Sequence, residues 1–309
     1  YEREMKHLLD QVAFIKATAI PMVPTLLDYR NVAVNIENTP QKKRILLGNV
    51  ATLGYYGAWL REEALERGLP LIDQAAGFTR FLWDVRRTYP EYMLALDGIH
   101  PTPAGLFVMA HTFVEAIETN RCLSRAELLV SQGKVLAAWN GGTLTETAGS
   151  SSAAVRFVFH AQGLPWVLPP EKDPKSKESA TFACRRLDSG HTLGRELVRV
   201  IGLVPNTYEV RIDGQSVGRF DHTQLAQGIE LQDNPKTPQY QQALTVATLN
   251  AEKTRGPMFM VGKEYERVRD SGGVADADTL PRLALQIKDY EKQIYAANQP
   301  KPDRYEIVP

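Results

Sequence analysis

The sequence predicts an α/β chain: a parallel sheet with flanking helices, then a β-rich module and C-terminal helices. Three observations carry this. Strand-like and helix-like stretches alternate up to residue 119, which favours a parallel sheet covered on both faces. After Cys122 short alternating runs fall between Gly, Pro and Asn turns, the texture of β structure. From Pro238 the helical period returns. The expected divisions are therefore 1–121, 122–235 and 236–309.

Within the first division, Met5, Leu8, Leu9, Val12 and Ile15 recur at helical spacing over residues 2–17. Ala19 to Leu27 reads as a buried strand interrupted by Pro21 and Pro24. Asn31 to Arg44 is polar and breaks the pattern. An amphipathic helix is expected over 55–67, stopped by Gly68, and a short parallel strand over Leu69 to Ile72. Residues 76–88 carry Phe78, Phe81, Leu82, Trp83 and Val85 and predict a helix ending at Tyr89-Pro90. Thr102 as N-cap and Pro103 at the first helical position open a last helix with Phe107, Val108, Ala110, Phe113 and Ile117.

In the β-rich division, Val155 to Phe159, Leu197 to Val204, Tyr208 to Ile212 and Gln215 to Phe220 read as strands. Asp213-Gly214 is the two-residue turn of a hairpin. Pro169 to Glu178 is expected to be an exposed loop. Helices are expected over Pro238 to Lys253 and Pro281 to Ala297, and the tail Asn298 to Pro309, polar and proline-bearing, is expected extended against the surface or loose.

Composition bounds the function. The 309 residues hold 36 Lys plus Arg against 36 Asp plus Glu, a balance that argues against a dominant nucleic-acid role or a polybasic membrane role. No run approaches the length of a spanning helix, and the N-terminus has no signal-peptide pattern. Cys122 and Cys184 fit a disulfide in an oxidising compartment and equally two free, buried thiols, the second reading being favoured slightly.

Chemistry concentrates in Asp97-Gly98-Ile99-His100, followed by Pro101-Thr102-Pro103-Ala104-Gly105. An Asp three residues before a His on a tight turn lets the carboxylate hold one imidazole nitrogen while the other faces outward as a general base. Asp188-Ser189-Gly190-His191 has the same spacing but sits in a polar connector and reads as a loop. No serine occurs before Ser124, and Ser150-Ser151-Ser152 lacks the strand-to-helix elbow of a nucleophile.

Other candidates carry less. His111 is expected packed within its helix, while His7, His160 and His222 stand alone; no spacing groups His, Cys, Asp and Glu as a metal site. Gly141-Gly142 and Gly272-Gly273 match neither a P-loop nor a dinucleotide fingerprint, so no cofactor is expected. Asp73 and Asp84 read as caps or surface charges. Trp139 and Trp166 suit stacking on a sugar ring, yet aromatic side chains in a β module more often belong to its core.

The run Tyr55 to Glu118, with Trp59-Leu60-Arg61-Glu62, Arg67-Gly68-Leu69-Pro70-Leu71-Ile72-Asp73, Asp97-Gly98-Ile99-His100-Pro101 and Ala104-Gly105, resembles the C-terminal part of an SGNH (GDSL-type) hydrolase. Leu203 to Tyr208, Asp213-Gly214, Val217 to Phe220 and Gln227-Gly228-Ile229 resemble a module that follows that domain in some bacterial SGNH proteins. The resemblance implies a partial flavodoxin-like fold, Asp97 as the acid that orients the histidine, and His100 as the base. It implies hydrolysis of acyl esters, those of carbohydrates among them, and a periplasmic or secreted setting. The family's G-D-S and G-x-N-D blocks, which supply nucleophile and oxyanion donors, have no match here, and Tyr1 is not an initiator Met. The chain is thus expected to be a processed or partial one, inactive alone, whose partner is the missing N-terminal segment. The alternative is a noncatalytic binding or assembly subunit that keeps an SGNH-like shell.

Overall fold

The computed structural model describes residues 1–25, 40–117, 121–274, 276 and 278–309, with 40–47 described for backbone alone. It is a mixed α/β chain in two compact units, Tyr1–Thr119 with Glu171–Ser189, and Asn120–Pro170 with Gly190–Pro309. The chain thus leaves and re-enters each unit, where the texture of the sequence suggests three consecutive segments.

The first unit runs α1 (Glu2–Phe14), β1 (Met22–Val23), α2 (Pro40–Glu66), β2 (Ile72–Asp73), α3 (Gln74–Arg86), α4 (Pro103–Ile117) and, after the excursion, α5 (Ala180–Leu187). β1 and β2 pair in parallel, Met22 opposite Ile72 and Val23 opposite Asp73. Two corrections follow. The strand over Ala19 to Leu27 is two residues long among those described, Leu27 lying outside them, and its partner begins at Ile72 rather than Leu69. The helix expected over 55–67 begins at Pro40, inside the stretch read as a polar break. Proline at a first helical position has its φ preset, and the Gln, Lys, Arg and Leu that follow are good helix formers, so polarity there marks a helix rather than a loop.

Val23, Leu60 and Ala75 form a small core, with Met5, Trp59 and Leu71 packed against it. Asp73 caps α3 by accepting from the Ala76 amide at 2.9 Å and pairs with Arg61 at 2.8 Å; Asp84 pairs with Arg186 at 2.6 Å. Both acids hold elements together, as their positions suggest. α4 buries Ala104, Gly105, Phe107, Val108, His111 and Thr112. Ala110, Phe113 and Ile117, apolar members of the same helix, are exposed with Leu106.

The second unit is a two-sheet structure. One sheet orders β10 (Ile229–Glu230), β7 (Arg195–Ile201), β3 (Cys122–Ser131) and β4 (Lys134–Asn140); the other orders β5 (Gly142–Ala148), β6 (Val155–Ala161), β11 (Pro302–Val308), β8 (Thr207–Ile212) and β9 (Gln215–Asp221). β3 and β7 run parallel and the remaining pairs antiparallel. Alternate residues of both sheets, Ala126, Leu128 and Val130, Val198 and Val200, Phe157 and Phe159, Val210 and Ile212, share one buried cluster. Period-two side-chain geometry produces this arrangement. Asp213 (φ 49°) and Gly214 (φ 81°) form the expected hairpin turn between β8 and β9, both in the left-handed region that a type I′ turn demands.

The tail is the main correction in this unit. Residues 302–308 are not loose: β11 lies between β6 and β8, and its Tyr305 ring stacks on Phe157 with centroids 4.6 Å apart. Asp303, Tyr305 and Ile307 alternate inward, a period that the flanking prolines obscure. The helices also depart in part from the spacing. α8 (Pro238–Lys253) matches its expected bounds and α10 (Thr279–Ala297) begins two residues early. Between them the chain kinks at Thr254–Met258, where Gly256 leaves helical geometry (φ −94°, ψ −107°) ahead of Pro257, and α9 (Phe259–Ser271), which the spacing does not predict, follows. A short helix α6 (Ser189–Leu193) and α7 (His222–Gln227) complete the elements. No described helix is long and apolar enough to cross a membrane.

The alternation that builds this core also buries a carboxyl. Glu196, 3% exposed, points inward in phase with Val198 and Val200, and its Oε2 meets no hydrogen-bond partner among the described residues. Burial, then the charges of Asp303 and Asp233, push its pKa from 4.5 to about 8; burial likewise carries Asp303 to about 7. The neighbouring Tyr305 hydroxyl, which accepts from Gln239 Nε2 at 3.0 Å, is raised far above its usual value by burial. With folded pKa values above unfolded ones, the fold retains protons that the open chain releases between about pH 4.5 and pH 8. Stability is therefore full below that window and declines as pH rises through it. Urea midpoints of the full chain should fall between pH 5 and pH 8.5, and Glu196→Gln should flatten the decline and raise stability at pH 8.5 by about 1–3 kcal/mol. A midpoint that rises with pH in the parent chain contradicts the burial of a neutral carboxyl.

Candidate active site

Asp97 and His100 lie on the turn between α3 and α4, outside the helix start as the sequence suggests. Each Asp97 oxygen has its own task. Oδ1 accepts from the backbone amides of Ile99 at 2.9 Å and His100 at 2.7 Å, and Oδ2 accepts from His100 Nδ1 at 2.6 Å. Oδ1 therefore holds the peptide path that delivers the imidazole to Oδ2. Gly98 permits this path with φ 84°, a conformation in which a side chain is strained.

The base of the turn is pinned by Thr102 N–H donating to Leu94 O at 2.7 Å. Thr102 Oγ1 in turn accepts from the Gly105 amide at 3.2 Å, the expected N-cap. Gly105 is required by close approach, since a Cβ there would lie 2.6 Å from Leu94 O. The Ala-Gly pair of the motif is thus explained by the fit of α4 against the backbone before Asp97.

Electrostatics follow from the geometry. The His100 hydrogen bond first, then the two backbone amides, lower the Asp97 pKa to about 2, so the carboxylate is charged at all ordinary pH. With the anion on Nδ1, that nitrogen keeps its hydrogen and Nε2 is left as the basic atom. The side chains are open to approach, His100 at 83% and Asp97 at 54% relative exposure. Leu96, the residue before Asp97, lines a cleft of about 380 Å³ with Tyr89, Pro90, Tyr92, Lys177 and Glu178. Lys177 Nζ sits 3.8 Å from the centre of the Tyr89 ring, and Tyr92 Oη donates to Lys177 O at 2.9 Å. The excursion 171–189 thereby supplies one wall. Sequence reasoning missed that wall because Pro169 to Glu178, although a loop as expected, lies about eighty residues away from the rest of it.

The remaining candidates are accounted for. His191 does not use Asp188; its Nδ1 lies 2.9 Å and 3.0 Å from the Glu230 oxygens, and α6 occupies the expected loop. His111 is buried in α4, His160 Nε2 donates to Pro300 O at 3.0 Å, His7 meets Gln11, and His222 opens α7. Gly141 and Gly272 both sit at turns with positive φ. Cys122 and Cys184 form no disulfide. Ser151 lies in the turn before β6, where its carbonyl accepts from the Val204 amide at 2.9 Å. Trp139 and Trp166 are exposed, not core, which corrects the burial expected of aromatic side chains in this unit.

No protein-family model matches the chain, and no curated protein matches it. Among solved structures, BT4096, described as a gut microbial diltiazem-metabolizing enzyme, is similar with a TM-score of 0.73 and 21% identity; the match covers 100% of this chain and 77% of the other. The two share a mixed α/β fold.

The turn geometry makes a prediction about the ring. Nitrogen-15 NMR above pH 8 should find the His100 proton on Nδ1, and Asp97→Asn, which keeps an oxygen for the two amides, should abolish that tautomer preference without unfolding the chain. Equal tautomer populations in the parent chain would contradict an orienting role for Asp97.

Proposed function

We propose that this chain is the larger, C-terminal portion of an SGNH-type serine esterase, with Asp97 and His100 completing a triad. The serine and its oxyanion donors come from sequence that this chain does not carry. The observation behind this reading is the ring of His100, fixed by Asp97 at Nδ1 and open on its other side.

In this reading His100 Nε2 takes the proton of the serine hydroxyl as it attacks the ester carbonyl, and the tetrahedral intermediate expels the alcohol, which leaves with the imidazolium proton. Water then enters by the same route, its proton passing to His100, and the acid departs as the serine regains its hydrogen. Asp97 remains ionised throughout and stabilises each imidazolium. Most of the acceleration in acyl transfer comes from donors aimed at the oxyanion, which is why this chain alone is assigned no activity.

The flavodoxin-like arrangement belongs to the same proposal. Parallel strands are stable when the sheet is extended and covered on both faces, and β1 with β2 is only a two-residue pairing. Met22 on β1 is exposed, as are Leu8, Phe14 and Ile15 around α1. On α4, Leu106, Ala110, Phe113 and Ile117 form a second stripe at helical spacing. Missing strands and helices are assigned to these surfaces. The fold shared with a diltiazem-metabolizing enzyme supports an enzyme of this architecture, while acyl esters of carbohydrates and a periplasmic or secreted setting follow from the family resemblance.

The test uses the complete protein, with the chain here as its C-terminal portion, and p-nitrophenyl acetate. His100→Ala should lower kcat by about a thousandfold to ten-thousandfold with KM little changed, and Asp97→Asn should lower it comparably. The 309-residue chain by itself should hydrolyse the ester no faster than buffer. Unchanged turnover in His100→Ala, or no ester hydrolysis by any intact form, favours the noncatalytic binding or assembly reading instead.

A further inference from the structure

A second cavity, of about 460 Å³, lies wholly within the second unit, between the loop 164–169 and helices α8 and α10. Trp166 forms one wall at 41% relative exposure, presented between Pro165 and a buried Val167. The prolines at 165 and 169 restrict this segment, so the indole is offered by a stiff backbone. Ala243, Ala247 and Ala251, every fourth residue on one face of α8, line the same cavity with small side chains. Exposing an indole forgoes the stabilisation of its burial, and here it shares a cavity with small side chains.

The polar groups narrow what fits. None of the lining residues is charged. Asn250 and Asn298 contribute amides, and neither side chain makes a hydrogen bond among the described residues. An uncharged lining does not compensate a phosphate, carboxylate or ammonium. Bare apolar ligands would leave the two amides unspent at the rim. A pyranose ring satisfies both constraints, since its C–H face lies against an indole while its ring of hydroxyls donates to and accepts from amides.

We propose that this cavity is a carbohydrate-binding site in which a neutral sugar ring stacks on Trp166 and hydrogen-bonds Asn250 and Asn298. The site is separate from the Asp97–His100 turn and does not rest on the esterase reading. Its occupant is a neutral glycan, held weakly by one aromatic platform, so retention on a polymer reveals it better than a monosaccharide titration.

The test is affinity electrophoresis of the 309-residue chain through gels containing soluble xylan, barley β-glucan or potato galactan. Retardation is expected on at least one of them. Trp166→Ala should weaken it at least tenfold, Asn250→Ala about threefold to tenfold, and Trp166→Phe, which keeps an aromatic face, should restore most of it. Trp139→Ala and His100→Ala should migrate as the parent chain does, and far-ultraviolet circular dichroism verifies that each variant is folded. No retardation on any of the three polymers, or parental retardation by folded Trp166→Ala, overturns the proposal. So does retention that Trp139→Ala abolishes and Trp166→Ala leaves intact. Because retention is measured without turnover, loss of the esterase reading leaves this result standing, and the reverse also holds.

Discussion

The two oxygens of Asp97 govern the site. One is occupied by the amides of Ile99 and His100, the other by the imidazole that those amides position. A carboxylate so engaged is preorganised: the His100 ring first, then the two backbone amides, keep it ionised, and its charge holds the hydrogen on the ring nitrogen that faces it. The rest of the turn serves this arrangement. Thr102 anchors its base and caps the next helix, and Gly105 lets that helix lie against Leu94.

The second unit obeys a different constraint, that of side chains alternating between a shared interior and the outside. Glu196 and Asp303 follow the alternation faithfully and are buried with it; burial raises the pKa of both, and for Asp303 the charges of His160 and Lys301 offset part of the rise. A repeat that is geometrically strict admits polar exceptions, and the buried carboxyls hold their protons more tightly as a result. This arrangement makes the module's stability answer to pH while the exposed dyad of the first unit carries its own separate chemistry.

Legibility divided along physical lines. The Asp97–His100 contact is local, three residues on one turn, so spacing suffices to find it. The hairpin at Asp213-Gly214 and the helix Pro238–Lys253 are equally local, marked by turn and cap chemistry. Long-range partnerships leave weaker traces. The pairing of 302–308 with 155–161 and 207–212 has only an inward period of Asp303, Tyr305 and Ile307 to announce it, and prolines at 300 and 302 argue against it. The kink at Gly256-Pro257 is local chemistry, but the helix Phe259–Ser271 beyond it buries no residue and so leaves no apolar stripe to announce it. The cavity that Trp166 shares with Ala243, Ala247 and Ala251 joins segments about eighty residues apart, a tertiary fact. Glu196 was the recoverable case, since it stands one residue before the run Leu197 to Val204 read as a strand and falls in phase with Val198 and Val200.

The position of β11 bears on how the protein is made. The strands on either side of it, β6 and β8, precede it by some ninety residues or more, with three long helices synthesised in between. Until 302–308 leaves the ribosome, both carry an unfilled line of amides and carbonyls beside an apolar face, the condition in which nascent chains pair with the wrong neighbour. The sheet is therefore completed only at the end of synthesis, through contacts of long sequence separation, whereas the turn bearing Asp97 and His100 needs only neighbouring residues for its hydrogen bonds.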